Sequence, residues 1–147
     1  MSAIRRAEVA WSGDLSTGAG TASAVSSGAF TDLPVSWAAR TEAPEGKTSP
    51  EELVAAAHAS CFAMAFSGGL GRAGTPPERL AVSADVTFDK VEAGWRVVSS
   101  HLTVRGVVPG ISSEDFVAAA EVAKDGCPIS QALKGNVELS VDAALEG

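Results

Sequence analysis

The stretch SPEELVAAAHASCFAMAFSGGLG, residues 49–71, decides how this chain is read. Ser49 is placed to cap a helix, Pro50 suits a first helical position, and Glu52 stands third in a capping box. No formal charge occurs from Leu53 to Gly71, and glycines crowd the far end. The spacing predicts one helix from Pro50 to about Ser67–Gly71. Its length alone would cross a bilayer. Its Ala, Gly and Ser content, with His58 in the middle, fits a buried core helix better, and no membrane partner is expected. Cys61 sits about three turns inside it.

Upstream, the chain reads as strands. Ala7–Trp11 ends at Ser12-Gly13-Asp14, a Thr/Ser/Val segment runs from Gly18 through Val25, and Leu33–Arg40 is a third candidate. Glu42–Lys47, with Pro44 and Gly46, is a loop. Downstream, Leu80, Val82, Ala84, Val86 and Phe88 alternate with more polar neighbours, the pattern of a half-buried strand. A turn at Glu92-Ala93-Gly94 leads into a second strand over Trp95–Arg105, which makes a hairpin. Ser112 or Ser113 caps a helix through Lys124, Gly126 closes it, Pro128–Lys134 forms a short helix, and Val137–Ala143 is a last strand. That order is α+β with a mainly antiparallel sheet, in one domain over residues 1–147.

Composition narrows the function. Hydrophobic residues make up 46% and charged residues 20%, enough apolar material for one core. The net charge of −7 and the lack of any Lys/Arg run argue against nucleic acid, which needs a concentrated basic surface. The start of the sequence shows no signal-peptide pattern, so a cytoplasmic protein is expected. Two cysteines in such a compartment suit catalysis or sensing better than a structural disulfide.

Cys127 lies in Gly126-Cys127-Pro128, where one helix stops and the next starts, so its sulfur can face unpaired backbone amides. Cys61 is too deep in its helix for the dipole to help, and a reactive thiolate there needs a nearby cation. Each cysteine is also readable in plainer terms, Cys61 as a small buried hydrophobe and Cys127 as part of a helix corner. Arg40, just ahead of the loop feeding the cysteine helix, can supply the cation, and Glu51 can hold its guanidinium. Arg40 is otherwise a solvated surface residue, and Glu51 a first-turn acid complementing the helix dipole. Ten residues of helix span roughly 15 Å, so Glu51 cannot touch Cys61 of its own chain. It can reach Cys61 of a second copy if two helices cross antiparallel near Ala55-Ala56-Ala57, which makes a homodimer the expected assembly. His58, one turn from Cys61, could join both cysteines in a Cys₂His metal set, although no fourth ligand is evident.

Taken together, Ser49–Leu53, Ala55–Phe62 and Gly126–Lys134 resemble the OsmC/Ohr family of thiol peroxidases. The likeness extends to Trp11-Ser12-Gly13-Asp14 and Asp89–Gly94. It implies antiparallel sheets packed on a long central cysteine-bearing helix, in an intertwined homodimer with sites at the subunit interface. It further implies a cysteine-based hydroperoxide reductase (EC 1.11.1.-) with no cofactor and no metal. By position, Cys61 would be the peroxidatic cysteine and Cys127 the resolving one, while Arg40 stabilises the thiolate and Glu51 of the partner subunit orients that arginine. The Ohr branch carries its arginine in an N-terminal glycine-containing segment, whereas here none lies between Arg6 and Arg40; Arg40 and His58 resemble the OsmC branch instead.

The cycle implied is attack of the Cys61 thiolate on an organic hydroperoxide, and more weakly on hydrogen peroxide, then a Cys61–Cys127 disulfide. A small dithiol or a dithiol protein would reduce it. Phe62, Met64 and Phe66 offer either an apolar approach for the peroxide or ordinary core, at least two of them core. The rival readings are a non-enzymatic redox-sensing or binding dimer, and a structural module with a Cys/His metal site.

Overall fold

A computed structural model describes all 147 residues. The chain forms two compact units, Met1–Leu53 and Val54–Gly147. The first holds β1 (Ala7–Ser12), β2 (Ala19–Ala24), β3 (Leu33–Val35) and the short helix α1 (Trp37–Thr41). The strands make an antiparallel sheet in the order β1-β2-β3, with Trp11 opposite Gly20 and Gly20 opposite Val35. Gly20 allows this closeness: a Cβ there would lie 2.7 Å from the Ala10 carbonyl and 2.8 Å from the Trp11 ring.

The expected strand over Leu33–Arg40 is corrected here. It ends at Val35, and Ser36 caps α1 by accepting a hydrogen bond from the Ala39 amide at 3.1 Å. A serine before Trp-Ala-Ala-Arg is itself a helix start, and that local signal outweighed the β preference of Val35 and Trp37.

α2 (Pro50–Arg72) leaves the first unit and continues into the second. Its start follows the expectation in part. The Ser49 hydroxyl accepts from the Glu52 amide at 3.1 Å, but the Glu52 carboxylate takes a hydrogen bond from Thr48 Oγ1 at 2.8 Å, so the box is not closed by Glu52. α2 is long and apolar enough to cross a membrane by length and composition. Its buried residues in the second unit, His58, Phe62, Phe66 and Leu70, recur every fourth position and form one stripe.

In the second unit β4 (Arg79–Val91) and β5 (Gly94–Val107) form the expected hairpin, with a bulge at Thr87/Phe88. β4 alternates as predicted, and Phe88 stacks on Trp95 with centroids 5.0 Å apart. α3 (Ser113–Gly126) and α4 (Pro128–Leu133) then carry the chain back, so β6 (Glu138–Leu145) pairs with β5 in parallel. A parallel pair needs such a crossover. Ser100, Leu102, Val104 and Gly106 point from β5 to one face. Leu102 and Val104 enter a core with the α2 stripe and with Phe116, Ala120 and Ala123 of α3, in which Phe66 stands 5.1 Å from Phe116. Gly106 is required there, because a Cβ would come within 2.8 Å of Leu80 and 3.0 Å of Phe116.

Candidate active site

Two groups of predicted site residues are assembled, one in each unit. In the first, α1 presents Arg40 and the first turn of α2 presents Glu51. Arg40 Nε donates to Glu51 Oε1 at 2.7 Å and to Oε2 at 3.1 Å. The Glu51 side chain is only 8% exposed and that of Arg40 29%, so water screens this pair less than a surface one. The Arg40 guanidinium also lies 5.8 Å from the centre of the Trp37 ring. Beside the pair is an apolar concavity of about 360 Å³ whose lining includes Val9, Trp11, Leu15, Trp37 and Leu53. The serine-capped turn of α1 makes this possible, because a strand continued through Arg40 would have sent its side chain to one face of the sheet.

In the second unit the two cysteines meet. Both are free thiols, Cys127 fully buried and Cys61 partly so, and they lie close enough that each shifts the other's ionisation. Cys127 caps the C-terminus of α3 and the N-terminus of α4 at once. Its thiol makes no capping hydrogen bond. Burial opposes its ionisation, but the nearby Cys61 thiol and the polar groups of Ser130 and Ile129 in the first turn of α4 favour the thiolate more, so its pKa is lowered. Cys61 is pushed the other way, first by burial and then by Cys127, against which the Ile129 amide is too weak.

His58 was expected to line the core or a dimer contact, and its surroundings hold what residue reading missed. It is fully buried, with Nδ1 2.6 Å from Ser100 Oγ and Nε2 2.8 Å from Ser130 Oγ. Burial pushes its pKa down, which keeps the ring neutral. Both ring nitrogens are engaged by hydroxyls, so the Cys₂His set is not assembled, and no three His, Cys, Asp or Glu residues gather to hold a metal. Ser100 and Ser130 carry the sequence signal in retrospect. Each is the polar member of an otherwise apolar face. Phe62 and Phe66 are core, while Met64 is 73% exposed.

Residues 43–142 match the protein family described as OsmC-like protein. The chain belongs to the OsmC family. It is 41% identical to peroxiredoxin OsmC of Escherichia coli K12 over 139 residues, covering 95% of this chain and 96% of that one. It is 30% identical to the organic hydroperoxide resistance protein OhrA of Bacillus subtilis over 106 residues, 68% of this chain and 70% of the relative. OsmC is thus matched more closely and over more of its length than OhrA, as the Arg40 and His58 positions implied. The solved structure of OhrB from Bacillus subtilis aligns with a TM-score of 0.72 at 24% identity, over 94% of this chain and 97% of that one. At such identity the likeness speaks for the fold, which is that of OsmC/Ohr proteins.

Proposed function

We propose that this OsmC-family chain is a cysteine-based peroxidase that reduces organic hydroperoxides to alcohols. The observation that carries the reading is that two free cysteines 66 positions apart in sequence, Cys61 and Cys127, lie close enough to shift each other's ionisation. Cys61 attacks the outer peroxide oxygen as thiolate; the O–O bond breaks, the alkoxide takes a proton and leaves as alcohol, and Cys61 becomes a sulfenic acid. Cys127 displaces hydroxide from that sulfur, giving a disulfide and water. A small dithiol or dithiol protein returns both thiols by exchange. The names of the OsmC and OhrA relatives support the substrate class.

The active unit in this reading is a homodimer. Burial and then Cys127 raise the Cys61 pKa, so a reactive thiolate there calls for a cation. Arg40 and Glu51 form a ready-made pair, yet Glu51 and Cys61 stand ten residues apart on one helix. A second copy reconciles these facts by setting its Arg40–Glu51 pair against Cys61. The exposed apolar residues Val9, Leu15 and Met64 support burial against another copy. The cytoplasm, where thiols are kept reduced, is the compartment that suits this cycle.

The test is a single-turnover thiol count after one equivalent of cumene hydroperoxide, with hydrogen peroxide alongside. Loss of both thiols to an intrachain disulfide, faster with the organic peroxide and reversed by dithiothreitol, is the expected result. Thiols that survive the peroxide would remove the enzyme reading.

A further inference from the structure

His58 is fully buried and titratable, and the peroxide cycle gives it no task. It opens the α2 stripe that continues with Phe62, Phe66 and Leu70, and it meets Ser100, which opens the apolar face of β5. A fully buried histidine with a hydroxyl on each nitrogen is a specific arrangement, because every donor there needs an acceptor. Ser130 belongs to the first turn of α4, three residues after the Cys127 cap, and its hydroxyl is among the groups that favour the Cys127 thiolate. Four groups therefore stand in a row: Ser100, His58, Ser130 and Cys127.

One direction of the row suits proton withdrawal from Cys127. In it the thiol S–H donates to Ser130 Oγ, the Ser130 hydroxyl to His58 Nε2, and Nδ1–H to Ser100 Oγ, the two histidine contacts being 2.8 Å and 2.6 Å. We propose that Ser130 and His58 form a proton relay that takes the thiol proton from Cys127 as it attacks the Cys61 sulfenic acid. The relay rests on the two-cysteine peroxidase reading above. In the relay Ser130 meets the reacting thiol, whereas His58 acts through Ser130 and is a positioning residue.

The step balances. The thiol proton passes to Ser130 as the Ser130 proton passes to Nε2, leaving a thiolate and an imidazolium whose two N–H groups both face hydroxyl oxygens. The S–S bond forms, the S–O bond of the sulfenic acid breaks, and the sulfenic sulfur is reduced as the thiolate is oxidised. The departing hydroxide takes up a proton to become water, and the imidazolium returns its proton to neutral, so one water leaves per disulfide. Burial keeps the ring neutral beforehand, and in the tautomer with its proton on Nδ1 the Nε2 atom can accept. The other ionisable groups around the row are Cys61 on α2, and Lys124, Asp125 and Lys134 around a cavity that Ser130 also lines; the β5 face contributes only Ser100, Leu102, Val104 and Gly106.

The experiment is stopped-flow reaction of the full chain with one equivalent of cumene hydroperoxide across a pH series. It resolves sulfenic acid formation from disulfide formation in the wild type and in Ser130→Ala, Ser130→Thr and His58→Gln. The relay predicts that Ser130→Ala and His58→Gln slow the second step about tenfold to a hundredfold more than the first. It also predicts that Ser130→Thr, which keeps the hydroxyl, restores it. In the wild type the second step falls off in acid as His58 becomes protonated, and in Ser130→Ala it climbs with pH as the thiol ionises to solvent. Equal slowing of both steps, or a pH profile that Ser130→Ala leaves in place, would overturn the relay.

A wild type whose thiols ignore the peroxide would instead sink the peroxidase reading. A peroxide-free measurement then decides the relay: ultraviolet titration of the Cys127 thiolate in Cys61→Ser protein. Its midpoint should rise by about one pH unit when Ser130→Ala is added and hold with Ser130→Thr. A midpoint that stays put in both would overturn the proposal.

Discussion

At the scale of single residues, the two cysteines and the Arg40–Glu51 pair make separable predictions. Cys61→Ser should abolish turnover. Cys127→Ser should permit one round of peroxide reduction and trap a sulfenic acid, read by dimedone labelling and mass spectrometry. Glu51→Gln removes the charge that holds Arg40 Nε at 2.7 Å. It should lower stability by about 2 kcal/mol, as loss of a charged hydrogen bond does, and slow the first step more than the second. His58 sets the pH response of the fold. Its pKa is lowered by burial from 6.5, so the unfolded chain binds the proton more readily than the folded one. Stability is then full above that value and declines as pH falls through it, by at most about 1.4 kcal/mol per pH unit. Asp14, held below 3.8 first by the Thr17 hydroxyl, also loses its contribution in acid, but only below 3.8. Urea midpoints at pH 7.5 and pH 5.5 should differ in the wild type and converge in His58→Gln.

Among the elements, β4, β5 and α3 meet closely at Gly106. Gly106→Ala would drive a methyl group against Leu80 of β4 and Phe116 of α3, at a cost of about 1–3 kcal/mol that a thermal melt would register. Most elements were legible because local rules agreed with each other. Leu80–Phe88 alternates, Ser49-Pro50 opens α2, and Gly126-Cys127-Pro128 separates α3 from α4. α1 was not read because Ser36 offered a cap in the midst of β-favouring residues. The parallel pairing of β6 is set by the crossover through α3 and α4, which strand pattern does not encode. The site follows the same logic. Cys61, Cys127, Arg40 and Glu51 were singled out by type and position, whereas the partners of His58 lie 42 and 72 positions away and only tertiary packing joins them.

For the molecule as a whole, the proposed assembly makes each site depend on two copies. The mass in solution should be twice the 14.8 kDa of the chain, measured by light scattering. Mixing unfolded Cys61→Ser and Arg40→Ala proteins and refolding them together should recover about a quarter of wild-type activity. Half of the dimers would be mixed, each with one intact site and one doubly defective site. Recovery of none would place the cation and the thiol on one chain. The four-residue stripe of α2 carries one more consequence. A helix advances about 100° per residue, so four residues overshoot a full turn by about 40° and the stripe winds round the axis. Adding or removing one residue between His58 and Phe62 would swing everything on one side of the change by that 100°. The imidazole would leave its serines, or the phenylalanines their core, although no side chain had been altered. Along this helix the register of the chain is itself a chemical requirement, and an insertion there is more damaging than most replacements.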